Sequence, residues 1–397
     1  QIADFLIGKS FESDQTLLTA EDSAVLVLAV LLHDLALHIT KDGFARILSV
    51  EDPWQRIEGF SEDETWPELW ATYLREARHW RVDELRAVFG SAEPVTRRSN
   101  DPLDNLTEHD QLLIGEFLRR YHPRLAHEIA VNGVPALGTN LLILEGFSGE
   151  LSPLVDLAGL VARSHGMRLR ATFAYLEAKY QRIGFLRNTH VVYLMAVLRI
   201  ADYLHIYSRR APREMRLVRA EKSAVSRREW DAHAAVSDID LGAPEDPESV
   251  YVEVDAGEIK NTYVFHRLSE WISGIQEELD HAWAVLGEVY GNNERLRRLG
   301  LSLRRVRTNL HDNRFLAQLP FHPVSASFQV TSRLIPLFIE PLYGNKPAIG
   351  VRELTQNAVD AVREARAFYA HGVHDWRRAD WPALEGVPDS LDLDVAI

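Results

Sequence analysis

Two groups of side chains in this sequence have types and spacings that suit chemistry. Residues 352–361 read Arg-Glu-Leu-Thr-Gln-Asn-Ala-Val-Asp-Ala. Glu353 and Asn357 are four residues apart and Asp360 follows three later, so a helix would stack all three along one stripe. A carboxylate, a carboxamide and a second carboxylate in a row suit a Mg-nucleotide. The Glu353 carboxylate can orient or deprotonate a water, and the Asn357 amide oxygen can sit on Mg²⁺ beside phosphate oxygens. Val351, Leu354, Ala358, Ala361 and Val362 form the other stripe and are expected to pack inward. An amphipathic helix with an unspecialised polar face is the plainer alternative.

The second group is spread more widely. His33-Asp34 closes the apolar run Ala24–Leu32, and both side chains are hard or borderline metal ligands. Asp202 stands alone among apolar neighbours in Leu198-Arg199-Ile200-Ala201-Asp202-Tyr203-Leu204. A buried carboxylate is costly unless it is paired or bound to metal. Between them lie His122 and His165. The adjacent Arg119 and Arg120 offer bidentate guanidinium geometry for a phosphate, or an ordinary helical salt bridge. The plainer readings are a helix-surface role for His122, a C-cap before Gly166 for His165, and structural roles for His38, His127, His190 and His205.

The order His33-Asp34, His122, His165, Asp202 resembles the HD phosphohydrolase superfamily, and Leu-Arg-x-Ala-Asp is a typical setting for its last Asp. The resemblance covers roughly residues 1–205, with a tail extending to about 290. It implies His33, Asp34 and Asp202 as ligands of a divalent metal (Mn, Mg, Fe or Zn). It also implies His122 and His165 as ligands of phosphate or of a second metal, with Asp34, His122 and His165 as catalytic residues. The superfamily has one further His, some 30 or more residues before the His-Asp pair. None precedes His33, so that ligand is expected upstream of Gln1, or else it is absent and the site is weakened. The 352–361 block resembles the N-box of GHKL ATPases. That likeness implies Glu353 as the activator of the hydrolytic water, Asn357 as a Mg²⁺ ligand and Asp360 near the nucleotide. The Gly-rich adenine-reading turn of those ATPases does not follow before Ile397.

These residues need elements to hold them. Helical periodicity dominates from 21 to about 205. Thr19-Ala20-Glu21-Asp22 is expected to start the first helix, and further helices are expected over Leu112–Ala130, Leu154–His165 and Val191–Tyr207. Pro94, Pro102, Pro123, Pro135 and Pro153 are expected to punctuate them. Residues 237–247 read as an acidic loop and Ser249–Val254 as a strand. Tyr263–Val289 reads as a long helix and 293–310 as an Arg-rich connector. A strand over 321–330, a helix over 332–341, the N-box helix over about 349–370 and a strand over 391–397 complete the pattern. The fold expected is mainly α: an all-helical HD domain with a small strand-containing appendage over 1–290, a connector over 291–320, and the first part of an α+β GHKL domain over 321–397.

Composition bounds the function. The 397 residues include 46% hydrophobic and 26% charged positions and no cysteine. This fits a folded cytoplasmic protein without disulfides or thiolate metal sites. No apolar run reaches the ~20 residues of a membrane span, so no membrane partner is expected. The net charge of −14 argues against a general nucleic-acid coat. Arginines cluster at 209–216 and at 295–307, and the 295–307 connector alone supports a nuclease as a third option. Together the resemblances imply metal-assisted hydrolysis of a nucleotide or other phosphate ester. An ATP-Mg-binding GHKL part would gate that site or drive formation of a homodimer, an architecture associated with bacterial conflict or stress systems. The alternative is a chaperone-like or sensor ATPase with a non-catalytic HD scaffold.

Overall fold

Thr19 starts the first helix, α1 (Ala20–Leu32), with a capping box in which its hydroxyl accepts from the Asp22 amide and the Asp22 carboxylate accepts from the Thr19 amide. In this computed structural model the residues described are 17–60, 64–136, 151–206, 224–243, 245–323 and 347–370. The helices that follow are α2 (Lys41–Ile47), α3 (Trp66–Ala77), α4 (Val82–Phe89), α5 (Glu108–Asn132), α6 (Ser152–Ser164), α7 (Phe173–Tyr180), α8 (Val191–Tyr203) and α9 (Ala224–Ala235). Strands β1 (Val236–Ala243) and β2 (Asp246–Val254), helix α10 (Thr262–Tyr290), strand β3 (Arg305–Thr308), and helices α11 (Asn313–Leu316) and α12 (Pro347–Ala370) complete the described elements. The chain divides into two compact units, Gln1–Pro323 and Val324–Ile397.

The first unit has two apolar clusters that share α5. Ala126 and Ala130 join α1, α6, α8 and α10, whose buried faces carry Val25, Leu160, Met195 and Leu279. Leu113, Phe117, Leu125 and Ile129 turn to the aromatic cluster of Phe44, Trp66, Trp70 and Tyr73. Helices α1 and α8 lie side by side in the same direction. Their N-terminal ends are joined by Asp22, which accepts from the His190 backbone amide at 2.6 Å and from the His190 ring at 2.7 Å. Their C-terminal ends meet where His33 approaches Asp202.

Several expectations are corrected. The stretch 237–247, expected as an acidic loop, belongs to β1 up to Ala243 and to β2 from Asp246. Strand β1 pairs antiparallel with β2, and β2 pairs parallel with β3. Ile239 and Leu241 face the core while Asp238 and Asp240 face solvent or the rim, so the alternation was present under the acidic composition. Pro123 does not end a helix; it lies inside the 25-residue α5. The 293–310 segment is more than a connector, because Leu299, Leu301, Leu303 and Leu310 are buried in the first unit and β3 joins its sheet. Three of its arginines pair with acids: Arg305 and Arg307 with Asp246 at 2.6 and 3.9 Å and Arg304 with Glu248 at 3.5 Å. In α12, Val351 and Leu354 are 54% and 71% exposed. Of the inward stripe expected there, these two are exposed, while Ala358 and Val362 are partly buried. The helix expected at 332–341, the strand at 391–397, the Arg209–Arg216 cluster and most of the strand expected at 321–330 lie outside the described residues; Phe321–Pro323 carries no strand. Among the described residues no single helix is long and apolar enough to cross a membrane.

Candidate metal centre

Three helices of 13 residues each, α1, α6 and α8, present their C-terminal ends to one place. His33 is the C-cap of α1, His165 is the C-cap of α6, and Asp202 lies in the last turn of α8. Asp34 follows His33 directly. His122 reaches the same place from the middle of α5, which packs antiparallel to α6 so that His122 meets His165 while His127 meets Asp156. Each helix C-terminus carries about half a negative charge from its unpaired carbonyls. Three such ends and two carboxylates make this a strongly cation-seeking spot.

The distances are short. His122 Nε2 is 2.7 Å from His165 Nε2 and 3.5 Å from Asp34 Oδ1. His33 Nε2 is 3.4 Å from Asp34 Oδ2 and 3.8 Å from Asp202 Oδ1. The His33 and His165 rings meet edge to face with centroids 5.6 Å apart. One atom each from Asp34, His122 and His165 lies within 4.8 Å of the other two. Asp34 is therefore common to two groupings, one with His122 and His165 and one with His33 and Asp202. The carboxylates of Asp34 and Asp202 are 35% and 33% exposed, so a solute can reach them, while the imidazoles sit deeper.

The protonation of the rings follows from their second nitrogens. His33 Nδ1 lies 2.7 Å from the Val30 carbonyl, His122 Nδ1 2.7 Å from the Arg119 carbonyl, and His165 Nδ1 2.5 Å from the Ala162 carbonyl. A carbonyl oxygen only accepts, so each Nδ1 carries the hydrogen and donates it. In a neutral ring that leaves a bare lone pair on Nε2. Burial pushes the pKa of His122 down, and His165 beside it adds to the effect. Burial also lowers that of His165, with nearby Arg199 contributing. Two Nε2 lone pairs thus face each other at 2.7 Å, an arrangement that a cation relieves. A backbone carbonyl on the far nitrogen is also the usual orienting contact of a metal-ligating histidine. The donor set fits a divalent ion of the imidazole-and-carboxylate type.

Arg119 and Arg120, the expected phosphate clamp, are engaged with carboxylates: Arg119 with Glu116 at 2.5 Å and Arg120 with Glu76 at 2.7 Å. Glu353, Asn357 and Asp360 belong to the second unit, on α12. Glu353 pairs with Arg352 at 3.1 Å, and Asp360 accepts from Gln356 at 3.0 Å. His127 and His190 are buried structural residues held by Asp156 and Asp22. Arg199, one turn before Asp202 on α8, ties the site to α10. Its guanidinium binds Glu278 of α10 at 2.5 and 2.7 Å and donates to the carbonyls of Ser164 and Met167, on either side of His165. The sequence signal was the one basic residue of a helix that is apolar but for Arg199 and Asp202; such a cation needs a partner when buried.

Helices converging on a His-Asp pair, a distal Asp and two intermediate histidines define an HD-type domain. A family model described as HD-CE matches residues 1–281, and the chain belongs to the HD-CE family. No curated protein and no solved structure matches it.

Proposed function

We propose that the first unit is a metal-dependent phosphohydrolase acting on a nucleotide or another phosphate ester. The observation that carries this reading is the convergence of bare imidazole Nε2 atoms and carboxylate oxygens on Asp34, at the meeting point of three helix C-termini. His33, Asp34 and Asp202 would hold one divalent ion, with His122 and His165 holding a second ion or the phosphate. When bound, such an ion supplies Lewis acidity toward a phosphoryl oxygen and lowers the pKa of water. The chain's own part is to keep His122 and His165 neutral and the imidazoles aimed inward. It also leaves the two carboxylates open to the substrate side, where Asp34 can accept a proton from an attacking water. A panel of nucleotides and simple phosphate esters, assayed with Mn²⁺ and other divalent ions, tests the reading. Ion-dependent phosphate release that disappears in Asp34→Asn supports it; release that survives unchanged in that variant opposes it.

We further propose that α12 belongs to an ATP-Mg-binding element. Glu353, Asn357 and Asp360 fall on one helix as their spacing requires. Asn357 and Asp360 are exposed and Glu353 is half-buried, so the stripe is open to a ligand. Glu353 would serve the water and Asn357 the Mg²⁺. The coupling of such an element to the metal centre, a role in defence or stress, and homodimer formation are parts of the same proposal.

A further inference from the structure

The residue after His122 is a proline in the interior of α5. In an uninterrupted helix, the amide of residue 123 would bond the carbonyl of residue 119. Pro123 has no amide hydrogen. The Arg119 carbonyl is thereby released from the helix ladder, and it is the atom that His122 Nδ1 contacts at 2.7 Å. His33 and His165 obtain the same kind of acceptor without a proline, because their helices end at those positions; the Ala162 carbonyl there takes only a long backbone bond, from the His165 amide at 3.5 Å. His122 lies mid-helix, where no carbonyl is normally spare. Pro123 also packs against Gly166, next to His165: a Cβ built on Gly166 would lie 2.3 Å from Pro123 Cγ. That close contact brings α5 to the end of α6 just where the two Nε2 atoms face each other.

We infer that Pro123 is a positioning residue of the metal centre: by withholding an amide hydrogen it frees the Arg119 carbonyl to fix His122 in the Nδ1–H tautomer, with its Nε2 lone pair aimed at Asp34 and His165. The inference rests on the metal reading above, but its first readout does not. In Pro123→Ala the new amide competes with the imidazole for the Arg119 carbonyl, so His122 loses its tautomer preference while the helix gains a bond. A proline kept only for packing or for helix shape would leave the tautomer alone.

The test uses the full chain with ¹⁵N-labelled histidine. The ring nitrogens of His122 are assigned by their loss in His122→Gln, and spectra of the metal-free protein are followed by Mn²⁺ calorimetry. The wild type should show a single Nδ1–H form for His122. Pro123→Ala should show a mixed or Nε2–H form, an unfolding temperature no lower than wild type, and Mn²⁺ affinity reduced by about 10- to 100-fold, the usual cost of losing an orienting contact. Gly166→Ala disturbs the packing without restoring an amide, so it should keep the Nδ1–H form whatever it does to stability. An unchanged His122 tautomer in Pro123→Ala overturns the inference, as does Mn²⁺ affinity within about twofold of a wild type that binds. If the wild type binds no Mn²⁺, the metal reading fails, and the metal-free spectra still decide the role of Pro123.

Discussion

His122, His165 and His127 are all held below the ordinary imidazole range by burial, and for His127 burial outweighs the hydrogen bond and negative charge of Asp156. The sign of the consequence is fixed. An unfolded chain binds protons at these histidines near pH 6.5 while the folded chain does not, so stability is fully present above about pH 6.5 and is lost as pH falls toward the folded values. For each proton taken up on unfolding the slope is at most about 1.4 kcal/mol per pH unit. Chemical denaturation of the metal-free protein between pH 5 and 7 should therefore show stability rising with pH. His165→Asn, which removes one of the three, should give a shallower slope. A steeper slope in that variant would contradict the neutral assignment. Asp156 behaves oppositely. Burial pushes its carboxyl up, but hydrogen bonds from His127, Lys179 and Tyr180 outweigh this and hold it below the usual carboxylate range. Its stabilisation is present across this window and is lost only in strong acid. The sequence showed His33-Asp34 and Asp202 as a metal motif, because adjacent ligands and a lone acid among apolar residues are visible in one dimension. It could not show that Asp34 would stand between two groupings, because that depends on where four helix segments meet.

The site's precision comes from how closely α5 approaches α6. At Gly159 an added Cβ would fall 2.6 Å from His127 Cδ2 and 2.8 Å from Ala130 Cβ. Gly159→Ala should force the helices apart at a cost of about 1–3 kcal/mol, as for overpacked cores. Gly115, on the outer face of the same α5, has nothing within 4 Å. Gly115→Ala should be neutral or stabilise by about 0.5–1 kcal/mol, since only the conformational freedom of glycine is removed. Equal losses at both positions, measured by denaturant titration, would mean that the α5–α6 contact is not the tight one. The helices themselves were legible from their periodicity and from the Thr19 cap. The elements misread were those in which composition and geometry disagree. Acidic residues on its outer face hid the alternation of β1. Pro123 reads as a breaker, yet the Arg119 carbonyl it frees finds a partner in His122. The leucines at 299, 301 and 303 were masked by the arginines around them.

For the whole molecule, two kinds of chemistry are proposed in two units, and they can be tested separately. If α12 serves ATP-Mg, Asn357→Ala should weaken Mg-dependent nucleotide binding by about tenfold or more through loss of a cation ligand. Glu353→Ala should keep binding and lose hydrolysis. Calorimetry in which both variants bind like wild type, or in which wild type does not bind at all, would reduce α12 to an amphipathic helix. The spacing of Glu353, Asn357 and Asp360 was readable from the sequence, whereas the exposure of Val351 and Leu354 was not, because burial depends on the neighbours a helix acquires. The central claim is a cation held around Asp34, and the direct measurement is the metal content and Mn²⁺ affinity of wild type and Asp34→Ala, by elemental analysis and calorimetry. Wild type should carry or take up one or two divalent ions per chain, as two ligand groupings sharing one carboxylate allow. Asp34→Ala should lose them all, because that carboxylate belongs to both groupings. Stoichiometric metal surviving in Asp34→Ala would contradict the account.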